Sequence, residues 1–301
     1  MRAYVLEADD TAALREVESP SAGRGEVQIR VRASSLHPHD LHVLSGAARA
    51  YLEYDFLAIL GSDVAGEVEA VGPGVSRVKV GDRVLGLQRS SRVHNGTFAK
   101  HVVLPETSVA RMPDNIDDAH AGMLGLAAIA ALTAIDAAQL GACSTVLING
   151  ATGGVGSYAI QLAALRGARV LATARAGAAT DLVRDLGAST TIDWTTEDVA
   201  NAAADGGGAD VRLDFVNIDI DALLQVLRTV DGRIATDLVS PRIRRSADAG
   251  GPCPERAPDA GQTLAAGAPR GHSWPHPPGP KRAMTSPEAG HREWSGPASI
   301  R

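Results

Sequence analysis

The sequence predicts an α/β protein in which a β-rich N-terminal region precedes a doubly wound parallel sheet. The strongest signal is residues 144–175, where a buried-strand pattern, a glycine turn, a helix and a second strand follow one another directly. A strand–helix alternation continues from there to residue 240. The third signal is the contrast with residues 1–110, in which Gly, Pro and Asp separate short strands.

The individual elements follow from these patterns. In the N-terminal region we predict strands at 1–6, 26–33, 65–71, 83–87 and 99–103, and an alanine-rich helical stretch through 119–140. The alternating series predicts strands at 144–149, 168–174, 190–193, 210–216 and 232–239, with helices near 154–166, 178–187, 195–204 and 220–229. This spacing is typical of parallel strands covered by helices on both faces.

The turn after the strand at 144–149 predicts a dinucleotide site. Small residues let the backbone turn sharply and approach a pyrophosphate, and the following helix directs free N–H groups at that anion. The predicted binding residues are Ala151, Thr152, Gly153, Gly154, Val155 and Gly156. A tight turn without a ligand is the alternative, but a glycine motif set between a strand and a helix favours the cofactor.

The residue that ends the next strand indicates which cofactor is bound. Enzymes that prefer NAD usually carry an acidic residue there, whereas this chain has Arg175 and no acid until Asp181. A guanidinium offers a planar fork of donors to a 2′-phosphate, so we predict NADPH. Alternatively, Arg175 is a solvated surface residue.

Charge and hydropathy exclude several classes of function. The formal net charge of −6 disfavours a nucleic-acid or acidic-membrane partner. The N-terminus has no secretory pattern, and the apolar run 123–135 is too short to span a bilayer, so we expect a cytoplasmic protein without a membrane partner. Two cysteines, Cys143 and Cys253, are too few for a four-cysteine zinc cluster.

The chain changes character after Ser240. Eleven of its 16 prolines lie at or beyond Pro241, and nine Lys and Arg against five Asp and Glu make this part basic. We expect 241–301 to be a low-complexity tail that is disordered or poorly packed. Its Pro, Arg, Gly, Ala and His bias also fits a frameshifted reading of a GC-rich gene, a hypothesis that sequencing the gene would test.

Five motifs in order resemble the zinc-independent medium-chain dehydrogenases/reductases of the NADPH:quinone reductase branch. The motifs are Gly61 to Val68 with Val71 to Val75, Gly81 to Gly86, Gly96 to Ala99, Leu132 to Ala134, and the glycine turn. The resemblance covers roughly residues 1–240 and implies a GroES-like β-rich domain, a Rossmann domain and an active site between them. We accordingly predict domains at 1–116 and 117–240, the latter incomplete. A family-type homodimer is doubtful with this C-terminus.

Zinc-dependent relatives place a Cys near position 37 and a His near position 62. This chain has His37 and Ser62 there, and nothing completes a tetrahedral set around the histidines of segment 37–42. We therefore predict no metal.

The same segment bears on catalysis. The branch usually shows Asn-x-x-Asp, often with Tyr two residues after the Asp, and this chain has His37, Asp40 and His42 at those positions. Hydride leaves nicotinamide directly, so the protein chiefly has to position donor and acceptor. The proton comes from His42, from His37 or from solvent. Each histidine alternatively only lines the domain junction.

The resemblance implies four further cofactor contacts. Thr133 would approach the nicotinamide ribose or phosphate, unless its hydroxyl bonds back to a helix carbonyl. Trp194 would lie near the adenosine phosphate or pack in the core. Val216 and Asn217, at the end of a strand, would touch the cofactor at the crevice.

These observations favour an NADPH-dependent reductase of a small electrophile, either a quinone or an α,β-unsaturated carbonyl. The first alternative is a non-catalytic NADP-binding pseudoenzyme or redox sensor, which His37 and the atypical tail favour. A zinc-dependent alcohol dehydrogenase is the third interpretation.

Overall fold

A computed structural model describes residues 1–216 together with two short strands, Arg233–Thr236 and Ser299–Ile300. The strands are β1 (Arg2–Ala8), β2 (Thr11–Glu16), β3 (Glu26–Ser35), β4 (Glu53–Tyr54), β5 (Ala58–Ile59), β6 (Asp63–Val71), β7 (Arg83–Leu87), β8 (Arg92–Val93), β9 (His101–Pro105), β10 (Val109–Arg111), β11 (Thr145–Asn149), β12 (Arg169–Thr173), β13 (Thr190–Ile192), β14 (Val211–Asp214), β15 (Arg233–Thr236) and β16 (Ser299–Ile300). The α-helices are α1 (Pro38–Leu44), α2 (Asp118–Ala121), α3 (Leu126–Ala138), α4 (Gly154–Leu165), α5 (Ala178–Asp185) and α6 (Val199–Asp205).

The N-terminal half is built on antiparallel sheets. The larger sheet has the strand order β10-β7-β6-β3-β16, and β9 pairs with residues 26–30 of β3 while β16 pairs with its C-terminal end. The smaller sheet has the order β2-β1-β5. Alternate residues of β3, β6 and β9 turn inward, so Val27, Ile29, Val64, Val68 and Leu104 are fully buried in one core. The sheet therefore presents the C-terminal end of β3 and the start of β6 side by side.

The C-terminal half is a parallel sheet with the order β13-β12-β11-β14-β15. Helices cover both faces. On one face Ile135 of α3 and Ile160 of α4 pack with Val183 of α5, and on the other Ala203 of α6 packs with Leu171 and Ile192. The predicted doubly wound sheet is confirmed, and β11 at its centre directs its carboxyl end toward the crevice where such sheets bind ligands.

Short strands β2, β4, β5, β8, β10 and β16 were not predicted, and two features nearer the site also differ from the sequence predictions. The helical stretch expected through 119–140 is broken at Gly122–Gly125 into α2 and α3. At the start of α3 the Leu126 N–H donates to the Asp63 carboxylate, and Gly125 is glycine because a Cβ there would overlap this carboxylate. Helix α1 was not predicted, although Pro38 at its first position is a typical helix start.

Some predictions fall outside the residues that the structure describes. These are the helix near 220–229, Asn217, and the tail 241–301 apart from β16. Among the described residues, no helix is long and apolar enough to cross a membrane.

Candidate active site

The loop between β11 and α4 forms a tight turn at the carboxyl edge of the parallel sheet. Gly150 has φ +74°, which favours glycine, and its carbonyl accepts the N–H of Gly153 at 3.0 Å. A Cβ on Gly156 would overlap this carbonyl and the backbone of Ala151. Gly156 is therefore glycine because the turn and helix approach each other too closely for any side chain.

Gly153 and Gly154 are different, since the protein itself leaves room beside them. A Cβ on Gly154 would lie 3.6 Å from the Cβ of Ala127, an ordinary contact, and one on Gly153 would meet only the Gly150 carbonyl, at 3.3 Å. Helix α4 begins here without a side-chain cap on its first N–H groups. This open cradle at a helix N-terminus fits an anionic group such as a pyrophosphate.

A buried polar network fixes the turn to the ends of three strands. The Asn149 side chain donates to Asp214 Oδ2 at 2.9 Å and accepts from Thr173 Oγ1 at 3.0 Å. Thr173 Oγ1 in turn accepts the N–H of Gly150 at 3.1 Å. The turn is thereby held by β11, β12 and β14 together.

Val216 and Thr133 are two further residues that the sequence assigns to the cofactor. Val216 is 47% exposed and lies directly against Gly150, where an added Cβ would be 2.7 Å from Val216 Cγ2. Thr133 is exposed on α3, and its hydroxyl donates to the Ile129 carbonyl at 2.8 Å, the back-bonded arrangement that was its alternative interpretation.

Arg175 and Trp194 come together beyond the end of β12. The Arg175 guanidinium lies 5.5 Å from the centre of the Trp194 ring, within cation–π range. Trp194 is 54% exposed, so the packing alternative for this side chain is not realised. Asp193 beside them accepts from Thr195 and Ala176, and these bonds, with a smaller effect of the Arg175 charge, lower its pKa.

The second half of the site is a buried carboxylate, Asp63, which the sequence analysis did not single out. Asp63 has no exposed surface. Its Oδ2 accepts from Ser35 Oγ at 2.6 Å and from His37 Nε2 at 2.8 Å, and its Oδ1 accepts from the N–H of Leu126 at 2.6 Å. The available signal was an acidic residue opening an otherwise apolar strand, which is costly unless the charge is satisfied.

His37 and Asp40 complete this cluster at the start of α1. Asp40 Oδ2 accepts the N–H of His37 at 2.7 Å within a capping box. Burial opposes charge on His37, yet its hydrogen bond to Asp63 and the charges of Asp63 and Asp40 raise its pKa. Burial raises the pKa of Asp40 to about 6, although its contacts with His37 work in the opposite direction.

The other two histidines of α1 lie closer to solvent. His42 is exposed, and the ring of His39 stacks on Tyr51 at 6.4 Å between centroids. Burial, followed by the neighbouring His42 and His37, lowers the pKa of His39. The structure thus brings His37 and Asp40 together and leaves His42 accessible on the same helix.

These side chains bear on whether the site could hold zinc. His37 Nε2 is directed at Asp63 and Ser35, and Ser62 stands at the second position. Across the residues that the structure describes, no group of three or more His, Cys, Asp or Glu side chains is placed to hold a metal ion. The residues therefore do not fit such a centre.

The raised pKa of Asp40 predicts a pH-dependent stability. A carboxyl whose pKa is higher in the folded than in the unfolded state stabilises the fold when protonated, and this contribution is lost as the pH rises through about 6. The free energy of unfolding of the wild-type chain and of Asp40→Asn can be measured by urea titration at each pH. We expect the wild-type value minus the variant value to fall by about 1 kcal/mol between about pH 5 and about pH 7. A difference that does not vary with pH would contradict this assignment.

Comparisons with known proteins agree with the two-part architecture. The alcohol dehydrogenase GroES-like domain family matches residues 23–114, and the zinc-binding dehydrogenase family matches residues 154–236. A chloroplast envelope quinone oxidoreductase homolog of Arabidopsis thaliana is 35% identical over 198 residues, which are 64% of this chain and 59% of the relative. The chain thus spans about three fifths of that relative's length.

Solved structures show the same similarity. An alcohol dehydrogenase superfamily protein from Novosphingobium aromaticivorans matches with a TM-score of 0.70 and 36% identity, covering 78% of this chain and 72% of the other. A quinone oxidoreductase from Pseudomonas syringae pv. Tomato DC3000 matches with a TM-score of 0.68 and 29% identity, covering 77% and 72%. The GroES-like and Rossmann folds are thereby confirmed, and this chain belongs to the alcohol dehydrogenase superfamily of medium-chain dehydrogenases/reductases.

Proposed function

We propose that this chain is an NADPH-dependent, zinc-independent oxidoreductase that reduces a quinone or an α,β-unsaturated carbonyl. The observation that carries the proposal is the open cradle at Gly153 and Gly154, where the fold leaves space at an uncapped helix N-terminus. The superfamily binds nicotinamide dinucleotides, and relatives of this chain are named quinone oxidoreductases.

The cofactor would lie along the carboxyl edge of the parallel sheet. Its pyrophosphate would contact the turn 151–156, and its 2′-phosphate would contact Arg175, which Trp194 holds by stacking. Val216 flanks the turn, while Asn217 and Thr133 remain proposed contacts. When bound, NADPH supplies a hydride for the acceptor.

The residues of α1 would serve the acceptor. The reduced acceptor must also gain a proton, and His42 is an exposed imidazole on α1, so it is the proposed donor, with solvent as the alternative. His37 has its Nε2 committed to Asp63, and Asp40 caps the helix. We therefore assign these two the orientation of α1 rather than proton transfer.

The proposal of zinc independence rests on the hydrogen bond between His37 and Asp63 and on the serine at position 62. With His37 Nε2 hydrogen-bonded inside the fold and Ser62 offering only a hydroxyl, hydride transfer would proceed to an acceptor polarised by hydrogen bonds.

A second candidate is a nucleotide-binding protein without turnover. It is favoured by the commitment of His37 to internal hydrogen bonds at a position where the branch usually carries Asn. The discriminating measurement is the loss of NADPH absorbance with a small quinone and with an enone. We expect acceptor-dependent oxidation with at least one of them; NADPH binding without such oxidation would establish the second candidate.

The substitution Gly154→Ala tests the cradle. An added methyl meets only ordinary contacts inside the protein and favours the helix, so the free energy of unfolding should change by less than about 0.5 kcal/mol. The methyl would occupy the space of the pyrophosphate, so the Kd for NADPH should rise about tenfold, or about 1.4 kcal/mol. Gly141→Ala, where nothing lies within 4 Å of the new Cβ, is the control. Unchanged affinity in Gly154→Ala would remove the main support for the cofactor site.

The substitution Arg175→Ala tests the choice of cofactor. Loss of a charge-assisted contact to the 2′-phosphate should weaken NADPH binding about tenfold or more and leave NADH binding nearly unchanged. Arg184→Ala removes a similarly exposed guanidinium from α5 and should alter neither Kd. If the ratio of the two dissociation constants stays the same in Arg175→Ala, Arg175 does not recognise the phosphate.

A further inference from the structure

The Asp63 carboxylate joins three segments of the chain. Ser35 ends β3, His37 precedes α1, and Leu126 begins α3, and each donates one hydrogen bond to Asp63 at 2.6 to 2.8 Å. Both oxygens are used, and the side chain has no contact with solvent. Such a charge is tolerated only while its donors remain in place.

Two of these segments carry the two halves of the proposed site. Helix α1 carries His42, on the acceptor side. Helix α3 packs along α4, with Ile135 and Ile160 in the same core, and Ala127 in its first turn lies beside Gly154 at the cofactor cradle. A contiguous path therefore runs from α1 through Asp63 and the start of α3 to the glycine turn.

The charge of Asp63 also acts on α4. Tyr158, one turn into α4 from Gly154, is partly buried, and burial together with the charge of Asp63 raises its pKa. Asp63 is thus electrostatically close to the helix that begins at the cradle, as well as hydrogen-bonded to the start of α3.

We propose that Asp63 is a positioning residue that couples cofactor binding at the glycine turn to the order of α1. The coupling rests on the proposed cofactor function. A cofactor that packs against Gly154 holds the first turn of α3 in place, and Asp63, anchored to Leu126, then holds His37 and the helix that follows it. The acceptor side becomes rigid when the hydride donor is bound.

A carboxylate suits this position because each of the three neighbours donates a hydrogen bond to it. The amide of an Asp63→Asn side chain keeps one oxygen for the Leu126 N–H, which can only donate, and turns its NH₂ toward Ser35 and His37. The charge-assisted bond that holds His37 is then lost while the volume of the side chain is retained. Position 63 lies outside the turn 150–156.

Hydrogen–deuterium exchange with and without NADPH tests the coupling directly. In the wild-type chain, NADPH should slow exchange at the turn 150–156 and also, about tenfold, across 37–44. In Asp63→Asn, protection at 150–156 should persist with a Kd within about threefold of wild type, whereas protection at 37–44 should be lost. Asp117→Asn, which alters an exposed carboxylate that caps α2 by accepting the N–H of His120, should behave as wild type.

The outcomes separate the two proposals. If NADPH protects 150–156 but not 37–44 in the wild-type chain, or if Asp63→Asn retains protection at 37–44, the coupling is wrong and the cofactor site stands. If neither NADPH nor NADH protects 150–156, the cofactor proposal fails and the coupling fails with it. Should Asp63→Asn not fold, His37→Leu removes only one of the three donors and should still reduce the protection of 37–44; full retention would overturn the proposal.

Discussion

The burial of one carboxylate, that of Asp63, constrains the rest of this structure. A charge without exposed surface must be satisfied by donors, and the three that satisfy it come from β3, from the residue before α1 and from α3. The end of the antiparallel sheet and the first helix of the parallel-sheet half therefore meet at this point. The glycine at position 125 follows from the same requirement, because a Cβ there would overlap the carboxylate.

In the parallel-sheet half, the glycine turn 150–156 is held in place by hydrogen bonds to the ends of three strands. Asn149, Thr173 and Asp214 tie the ends of β11, β12 and β14 into one hydrogen-bonded network below the glycines. Gly156 is needed for the turn itself, whereas Gly153 and Gly154 leave space that the protein does not fill. This difference within one motif distinguishes a glycine that the fold requires from glycines that leave space beside the turn.

Periodic patterns in the sequence predicted the sheets well, because buried parallel strands read as apolar runs and Gly, Pro and Asp separate the strands of the β-rich half. The strand at 83–87 and the helix that starts at 154 agree with the structure to the residue. The pairing of Arg175 with Trp194 was not predictable, since it joins residues brought together by β12 and β13. The sequence patterns assign Arg175 and Trp194 to the cofactor independently of each other.

Asp63 and α1 were missed for a physical reason. A seven-residue helix has too few turns to show a clear period, and its capping box uses His37, which is not a typical cap. The role of Asp63 depends on donors 28, 26 and 63 residues away in the chain, which no local pattern reveals. An acid at the head of an apolar strand was the one available indication.

The most direct test of this account is a crystal structure of the chain with NADPH bound. We predict that the pyrophosphate contacts the N–H groups at the start of α4 beside Gly154, while Asp63 keeps its hydrogen bonds to Leu126 and His37. A cofactor located away from this turn, or an Asp63 carboxylate released from Leu126 when the cofactor is bound, would contradict it.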